Sequence, residues 1–379
     1  MPIRVCHLIT DLETGGAERS LVNLVTGMDR SRFDSEVVSL LPPGPMAEPL
    51  SRAGIPVATL GMARGRPTAA ALLALVRHLR RSRPAILQTW LYHADFLGTL
   101  GAALSRTERL IWNIRCTDIT KQKTEQSIRW LVRMLAMLSA RPDVVVVNSQ
   151  AGRRDHETLG YHPRIWAEIP NGVDLARFSV RRTERAALRA RLGLEADAFV
   201  VGLVGRDHPM KDVGTFLGAA ALRSAENKNV RFVLCGEGFN ANNLALTGEI
   251  ARMNLQKHVV LLGRRDDVED IYPAFDVATL CSIYGEGFPN VVCEAMACGV
   301  PCVVTDIGDS ARIVGDTGVV VPLRDPQALA RAWKSLATGG AEDFGNRARI
   351  RIEANYSLEI MRARYTALYE QLVPNTSLA

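Results

Sequence analysis

At 379 residues, with 47% hydrophobic and 23% charged residues, the chain has room for two ordinary domains, and wholesale disorder is excluded. No run approaches the roughly 18 apolar residues that a membrane span requires. The net charge of +6 is uneven: residues 1–170 hold 22 Lys and Arg against 15 Asp and Glu, the remainder 24 against 25.

Residues 4–9 read as a first strand, an apolar run that meets Asp11 too soon for a secretory leader; a cytosolic protein is expected. Gly15 and Gly16 follow on a turn, with helix residues from about Ala17. Lacking Cβ, they let backbone N–H groups approach a phosphate or a reacting sugar, although a plain tight turn predicts the same sequence. Further strands are predicted at 35–40, 85–89, 109–113 and 144–148, separated by helical stretches. His93 and Asp95 follow the strand at 85–89, and Arg115 follows that at 109–113. After the arginine-rich segment 176–192 the pattern restarts, with strands at 199–204, 231–235, 259–262, 277–281 and 301–305. Continuous apolar strands between amphipathic helices indicate parallel sheets covered on both faces. The expectation is an α/β protein of two Rossmann-like, doubly wound domains, 1–172 and 173–355, with a hinge near 171–174. Residues 356–379 form a tail with apolar residues at helical spacing (Leu358, Met361, Tyr365, Leu368, Leu372). Open parallel sheets bind ligands at the carboxyl ends of their strands, so two facing sheets would frame a central cleft.

The most informative string runs from Gly285-Glu286-Gly287-Phe288-Pro289-Asn290 and Val291 to Glu294-Ala295-Met296-Ala297-Cys298-Gly299-Val300-Pro301. Pro289 suits the first turn of a helix, which Gly299 and Pro301 then stop. Glu286 is thereby predicted in a loop before the helix and Glu294 on it. Such carboxylates grip hydroxyls while the helix N-terminus faces an anion. Arg206 and Lys211, in Gly205-Arg206-Asp207-His208-Pro209-Met210-Lys211, follow the strand at 199–204 and can embrace a diphosphate, a fork of donors beside a movable point charge. In an arbitrary protein two solvated surface charges would be the better explanation. The chain has no Asp-x-Asp to hold a divalent metal.

These strings closely resemble the donor-site signature of retaining glycosyltransferases of sequence family 4, which have the GT-B fold. The resemblance takes in Gly15-Gly16-Ala17-Glu18, Ile169-Pro170-Asn171-Gly172-Val173-Asp174, Val204-Gly205-Arg206 with Lys211, Gly236-Glu237-Gly238 and Asp276-Val277, and so covers almost the whole chain. It implies a nucleotide diphosphate sugar as co-substrate, with UDP favoured, and a glycan or lipid-linked glycan as acceptor. Glu294 would accept hydrogen bonds from the ribose hydroxyls. Glu286 would contact the transferred sugar and the backbone around Phe288. The amides of Asn290 and Val291 would meet the distal phosphate, and Gly236, Glu237 and Gly238 would line the base pocket. Arg206 and Lys211 would stabilise the leaving diphosphate without a metal or other cofactor. In relatives the last helix crosses back to the first domain, and an N-terminal-domain histidine often meets the sugar. Here Arg115 fills that histidine's usual position. His93 either substitutes for it or is only a loop residue; Arg115 would bind an anionic acceptor or the donor phosphate.

Residues 121–140 combine Lys121, Lys123, Arg129 and Arg133 with Ile128, Trp130, Leu131, Met134, Leu135 and Leu138. That mixture fits a helix resting on anionic lipid, but an ordinary helix packed on the first sheet explains the same residues and is the preferred reading. Nucleic acid is not expected, because no recognised binding motif is present and the cations are scattered. The seven cysteines form no Cys-x-x-Cys pair and are expected reduced and buried. Two rival functions have the same fold: a sugar-nucleotide epimerase and a non-catalytic nucleotide-sugar-binding protein.

Overall fold

The structure, a computed structural model, describes residues 1–63, 68–117 and 126–374. The chain divides into two compact units, Met1–Gly172 with Leu358–Ala379, and Val173–Ser357. Tyr356 and Ser357 therefore stay with the second unit, where Val173 bridges Ser357 and its N–H donates to the Tyr356 carbonyl at 2.8 Å.

The first unit holds β1 (Ile3–Ile9), β2 (Phe33–Ser39), β3 (Val57–Thr59), β4 (Ile86–Trp90), β5 (Arg109–Ile114), β6 (Val144–Val147) and β7 (Trp166–Glu168). All pair in parallel, in the order β3-β2-β1-β4-β5-β6-β7. Strand side chains alternate between faces, so each face builds its own core. Val5 and Ile9 pack with Leu21 and Leu24 of the helix Gly16–Thr26 and with Met361 and Tyr365 of the helix Leu358–Leu372. Cys6 and Leu8 pack on the other side with Leu75 and Leu79 of Ala69–Ser82 and Leu97 of Tyr92–Ser105. The tail helix thus belongs to the first unit by its buried face.

The second unit holds β8 (Phe199–Val204), β9 (Val230–Cys235), β10 (Val259–Gly263), β11 (Val277–Leu280), β12 (Cys302–Thr305) and β13 (Val319–Val321), all parallel. Their order is β10-β9-β8-β11-β12-β13. In both units the winding reverses beside the first strand: between β1 and β4, and between β8 and β11. Those reversals leave crevices at the strands' carboxyl ends. The expected strands form where the apolar runs placed them. Three were missed: β3, β7 and β13. Each is only three residues long, lies at a sheet edge and is incompletely buried, too short to stand out as a strand even where, as in β13, all three residues are valine.

Asp276, part of a family string, has a structural job. Its carboxylate accepts from Arg185, from Arg189 at 2.6 Å and from the Val200 amide at 2.7 Å, joining the arginine-rich helix Arg185–Arg191 to β8. Arg189 is 4% exposed and also donates to the carbonyls of Ala274, Ala196 and Ala198. Burial pulls its pKa down, and Asp276 pulls it back up. Removing one partner of a buried ion pair strands the other charge. We expect Asp276→Ala to cost about 3–5 kcal/mol, read as a lower urea midpoint; an unchanged midpoint would contradict this.

Candidate functional site

The crevice of the second unit gathers residues that lie far apart in the chain. Residues 205–211 leave β8 and residues 281–289 leave β11, on either side of the winding reversal. Lys211 Nζ donates to Glu286 Oε1 at 2.6 Å, and Ser282 Oγ donates to the same oxygen at 2.8 Å. The two charged side chains are 12% and 11% exposed. Backbone bonds hold the loops together: the Ile283 amide donates to the Met210 carbonyl at 2.8 Å, and the Asp309 amide to the Gly287 carbonyl at 2.9 Å. Arg206 is exposed and makes no hydrogen bond or ion pair among the described residues. One cation is held and its neighbour is available.

The helix Asn290–Ala297 starts beside this pair. Pro289 is its N-cap, with φ −75° and ψ 100°, rather than a residue of its first turn. The missing N–H is tolerated there as well. Asn290 and Val291 supply first-turn amides. Gly299, at φ +72°, ends the helix, and the Val300 amide returns to the Ala295 carbonyl at 3.1 Å. Glu294 is 9% exposed and accepts from the Tyr272 hydroxyl at 3.0 Å. The Phe288 side chain is in the core, edge-on to Tyr356, so only its backbone can line the loop. Tyr272 and Ser282 escaped the sequence reading, since neither lies in a string that marks the site.

Gly236, Glu237 and Gly238 follow β9 and adjoin the Arg206 loop. The Asp207 amide donates to the Glu237 carbonyl at 2.7 Å, and Asn243 bridges Asp207 and Gly238. Glu237 itself is exposed. Gly236 sits at φ +142°, where a Cβ would fall on the Gly205 carbonyl oxygen.

In the first unit, Gly15 caps the helix Gly16–Thr26, and the Glu18 carboxylate folds back to where a Gly15 Cβ would sit. Burial, with Asp11 and Glu13 nearby, pushes Glu18 up to about 7. His93 is half-buried in the first turn of Tyr92–Ser105, and burial lowers its pKa. Asp95 must be corrected as an acceptor-side residue. The helix begins at Tyr92, which turns position 95 toward the sheet. The Asp95 side chain is 1% exposed, accepts from the Thr89 hydroxyl, and burial pushes its pKa well up. Arg115 is likewise turned inward. It donates to Asn113 at 2.8 Å, Ser20 at 3.1 Å, Tyr365 at 2.6 Å and Asn171, and its guanidinium stacks 4.9 Å from the Trp90 ring. Those bonds tie β5 to the tail helix.

Of the segment 121–140, Lys121 and Lys123 lie outside the described residues. The helix Gln126–Leu138 buries Val132 and Leu135, as an ordinary packed helix would. Trp130 and Met137 are nevertheless 63% and 74% exposed, and with Arg133 they form one stripe.

A model described as "Glycosyl transferases group 1" matches residues 198–338, and one described as "Glycosyltransferase Family 4" matches residues 14–177. The chain belongs to glycosyltransferase family 4. It is 28% identical over 269 residues to an Escherichia coli UDP-Gal:alpha-D-GlcNAc-diphosphoundecaprenol alpha-1,3-galactosyltransferase, covering 69% of this chain and 68% of that protein. It is 27% identical over 353 residues to the putative glycosyltransferase EpsF of Bacillus subtilis, covering 89% and 88%. Among solved structures, Anabaena HepE in complex with UDP aligns with TM-score 0.86 at 22% identity, covering 97% of this chain and 100% of that one. The sucrose-phosphate synthase of Thermosynechococcus elongatus aligns with TM-score 0.77 at 20% identity, covering 97% and 99%. The family 4 chain thus has the GT-B fold and is a glycosyltransferase. Among the described residues no helix is long and apolar enough to cross a membrane.

Gly236→Ala should part the Gly205 and Gly236 loops. Gly193, also at positive φ but with open space around it, is the control. We expect Gly236→Ala to cost about 1–3 kcal/mol more than Gly193→Ala in thermal or urea unfolding. Equal losses would mean that the close approach is unimportant.

Proposed function

We propose that this glycosyltransferase moves a sugar from a nucleotide diphosphate sugar, UDP-linked, to a glycan or lipid-linked glycan, with retention of anomeric configuration and without a metal ion. The observation that carries the reading is the Lys211–Glu286 pair beside the exposed Arg206, at the winding reversal of the second sheet. The donor is supported by the UDP bound to HepE, and the acceptor by the lipid-linked substrate in the name of the Escherichia coli relative.

In this reading the diphosphate lies against Arg206, Lys211 and the first-turn amides of Asn290 and Val291. Glu286 keeps Lys211 oriented before the donor arrives, and its free carboxylate oxygen meets hydroxyls of the sugar. Glu294, oriented by the Tyr272 hydroxyl, accepts from the ribose hydroxyls. Gly236, Glu237 and Gly238 border the base. The bond between anomeric carbon and phosphate oxygen stretches until the sugar resembles an oxocarbenium ion. The acceptor oxygen then bonds to the same face, and the departing phosphate takes its proton. Negative charge grows on the leaving diphosphate, where preorganised cations act most strongly. No covalent sugar–enzyme intermediate is required. The absence of Asp-x-Asp from the sequence supports charge neutralisation by side chains.

For the acceptor side, the Trp130, Arg133 and Met137 stripe would rest on anionic lipid, where Trp130 and Met137 bury in the interface and Arg133 meets headgroups.

Arg206→Ala and Lys211→Ala should each lower kcat by about 10²–10³, the scale for a lost charge-stabilising donor. Circular dichroism would confirm folding; near-normal turnover in both would end the diphosphate assignment. In vesicle sedimentation the protein should bind phosphatidylglycerol and not phosphatidylcholine. Replacing Trp130 and Met137 by Ser should weaken binding at least about tenfold, from the apolar area lost. Equal binding by the variant would refute the lipid contact.

A further inference from the structure

We propose that Cys6, Glu36 and His78 form a cation site in the first unit, suited to a borderline divalent ion such as Zn(II) and separate from the transfer chemistry. Cys6 of β1 and Glu36 of β2 are direct cross-strand partners, so their side chains share one face of the sheet. The helix Ala69–Ser82 covers that face and brings His78 over the pair, with Ser82 one turn further on. The thiol sulfur, a carboxylate oxygen and an imidazole nitrogen all lie within 4.8 Å of one another. His78 Nε2 is 3.1 Å from Glu36 Oε2.

A second observation converges on the same spot. Glu36 Oε1 is buried and has no hydrogen-bond partner, while its other oxygen already meets His78. Buried polar groups are normally satisfied, and an unpartnered carboxylate oxygen beside a thiol and an imidazole calls for one. A cation satisfies the carboxylate and the imidazole together, and Ser82 or a water can complete the set. Sulfur, nitrogen and oxygen donors in one cluster are the mixture Zn(II) accepts, and its tetrahedral bonds of about 2.0–2.3 Å would draw the three donors closer together. On binding, the Cys6 S–H bond breaks, a sulfur–metal bond forms and the proton leaves to solvent. Cys6 and Glu36 stand at mid-strand and His78 on the covering helix, not at the carboxyl ends of the strands of their own sheet. The site's effect would be to pin β1 and β2 to their covering helix. Nothing in the sequence spacing marks it, since the ligands are 30 and 42 positions apart.

The test uses full-length, tag-free protein stripped with a chelator and titrated with Co(II). Stoichiometric uptake is expected, with a thiolate-to-cobalt charge-transfer band in the near ultraviolet that Zn(II) abolishes by displacement. Zn(II) alone should raise the Tm of the stripped protein. His78→Ala, at a partly exposed position, should weaken uptake at least about tenfold, and Cys6→Ser should lose the charge-transfer band. Should Cys6→Ser fail to fold, Glu36→Gln with His78→Ala decides the matter through affinity. Absence of stoichiometric uptake, or uptake untouched by His78→Ala, overturns the proposal.

Discussion

A single ion pair, Lys211 Nζ on Glu286 Oε1 at 2.6 Å, is the interaction on which the account of the site rests. Both partners are largely withdrawn from water, so each loses hydration that only the other, or a ligand, can replace. That makes the pair a poised element. In the proposed function an incoming anion takes over the ammonium while sugar hydroxyls donating to the carboxylate replace it at Glu286. Ser282 holds the same carboxylate oxygen and leaves the other for a ligand. Arg206 complements the pair because, among the described residues, it has no partner to give up.

The pair in turn depends on the sheet beneath it. Lys211 leaves β8 and Glu286 leaves β11, neighbours only because the winding reverses between them. Asp276 joins the residue before β11 to the first residues of β8 and to two arginines. The Gly236 and Gly205 loops approach so closely that a side chain at Gly236 does not fit. Each contact is ordinary; together they fix where two loops meet, and hence the distance between a cation and a carboxylate. A transferase that stabilises charge at one oxygen needs that distance held.

Much of this was legible in the sequence, for physical reasons. β8 stands at 199–204 as expected, because Phe199 to Val204 is a continuous apolar run between polar segments. The edges β3, β7 and β13 were not legible, since three half-covered residues carry no period. Glu294 on its helix and Glu286 in its loop were readable from Pro289 and Gly299. The partnership of Glu286 with Lys211 was not, because 75 positions separate them and only the β8–β11 adjacency brings them together. Asp95 was misread because a carboxylate just past a strand looks solvent-facing until the helix start at Tyr92 sets its direction. Arg115 shows the same limit: its position is clear in sequence, whereas its bonds to Tyr365 and Asn171 are purely tertiary.

The central claim, that Lys211 and Arg206 receive a diphosphate, is tested most directly by titration calorimetry with UDP and with uridine. The wild type is compared with the Arg206→Ala Lys211→Ala double variant. The account predicts that UDP affinity falls at least about 10–150-fold, the worth of one hydrogen bond to a charged group, while uridine binding is unchanged. Undiminished UDP affinity, or an equal loss for uridine, would contradict it.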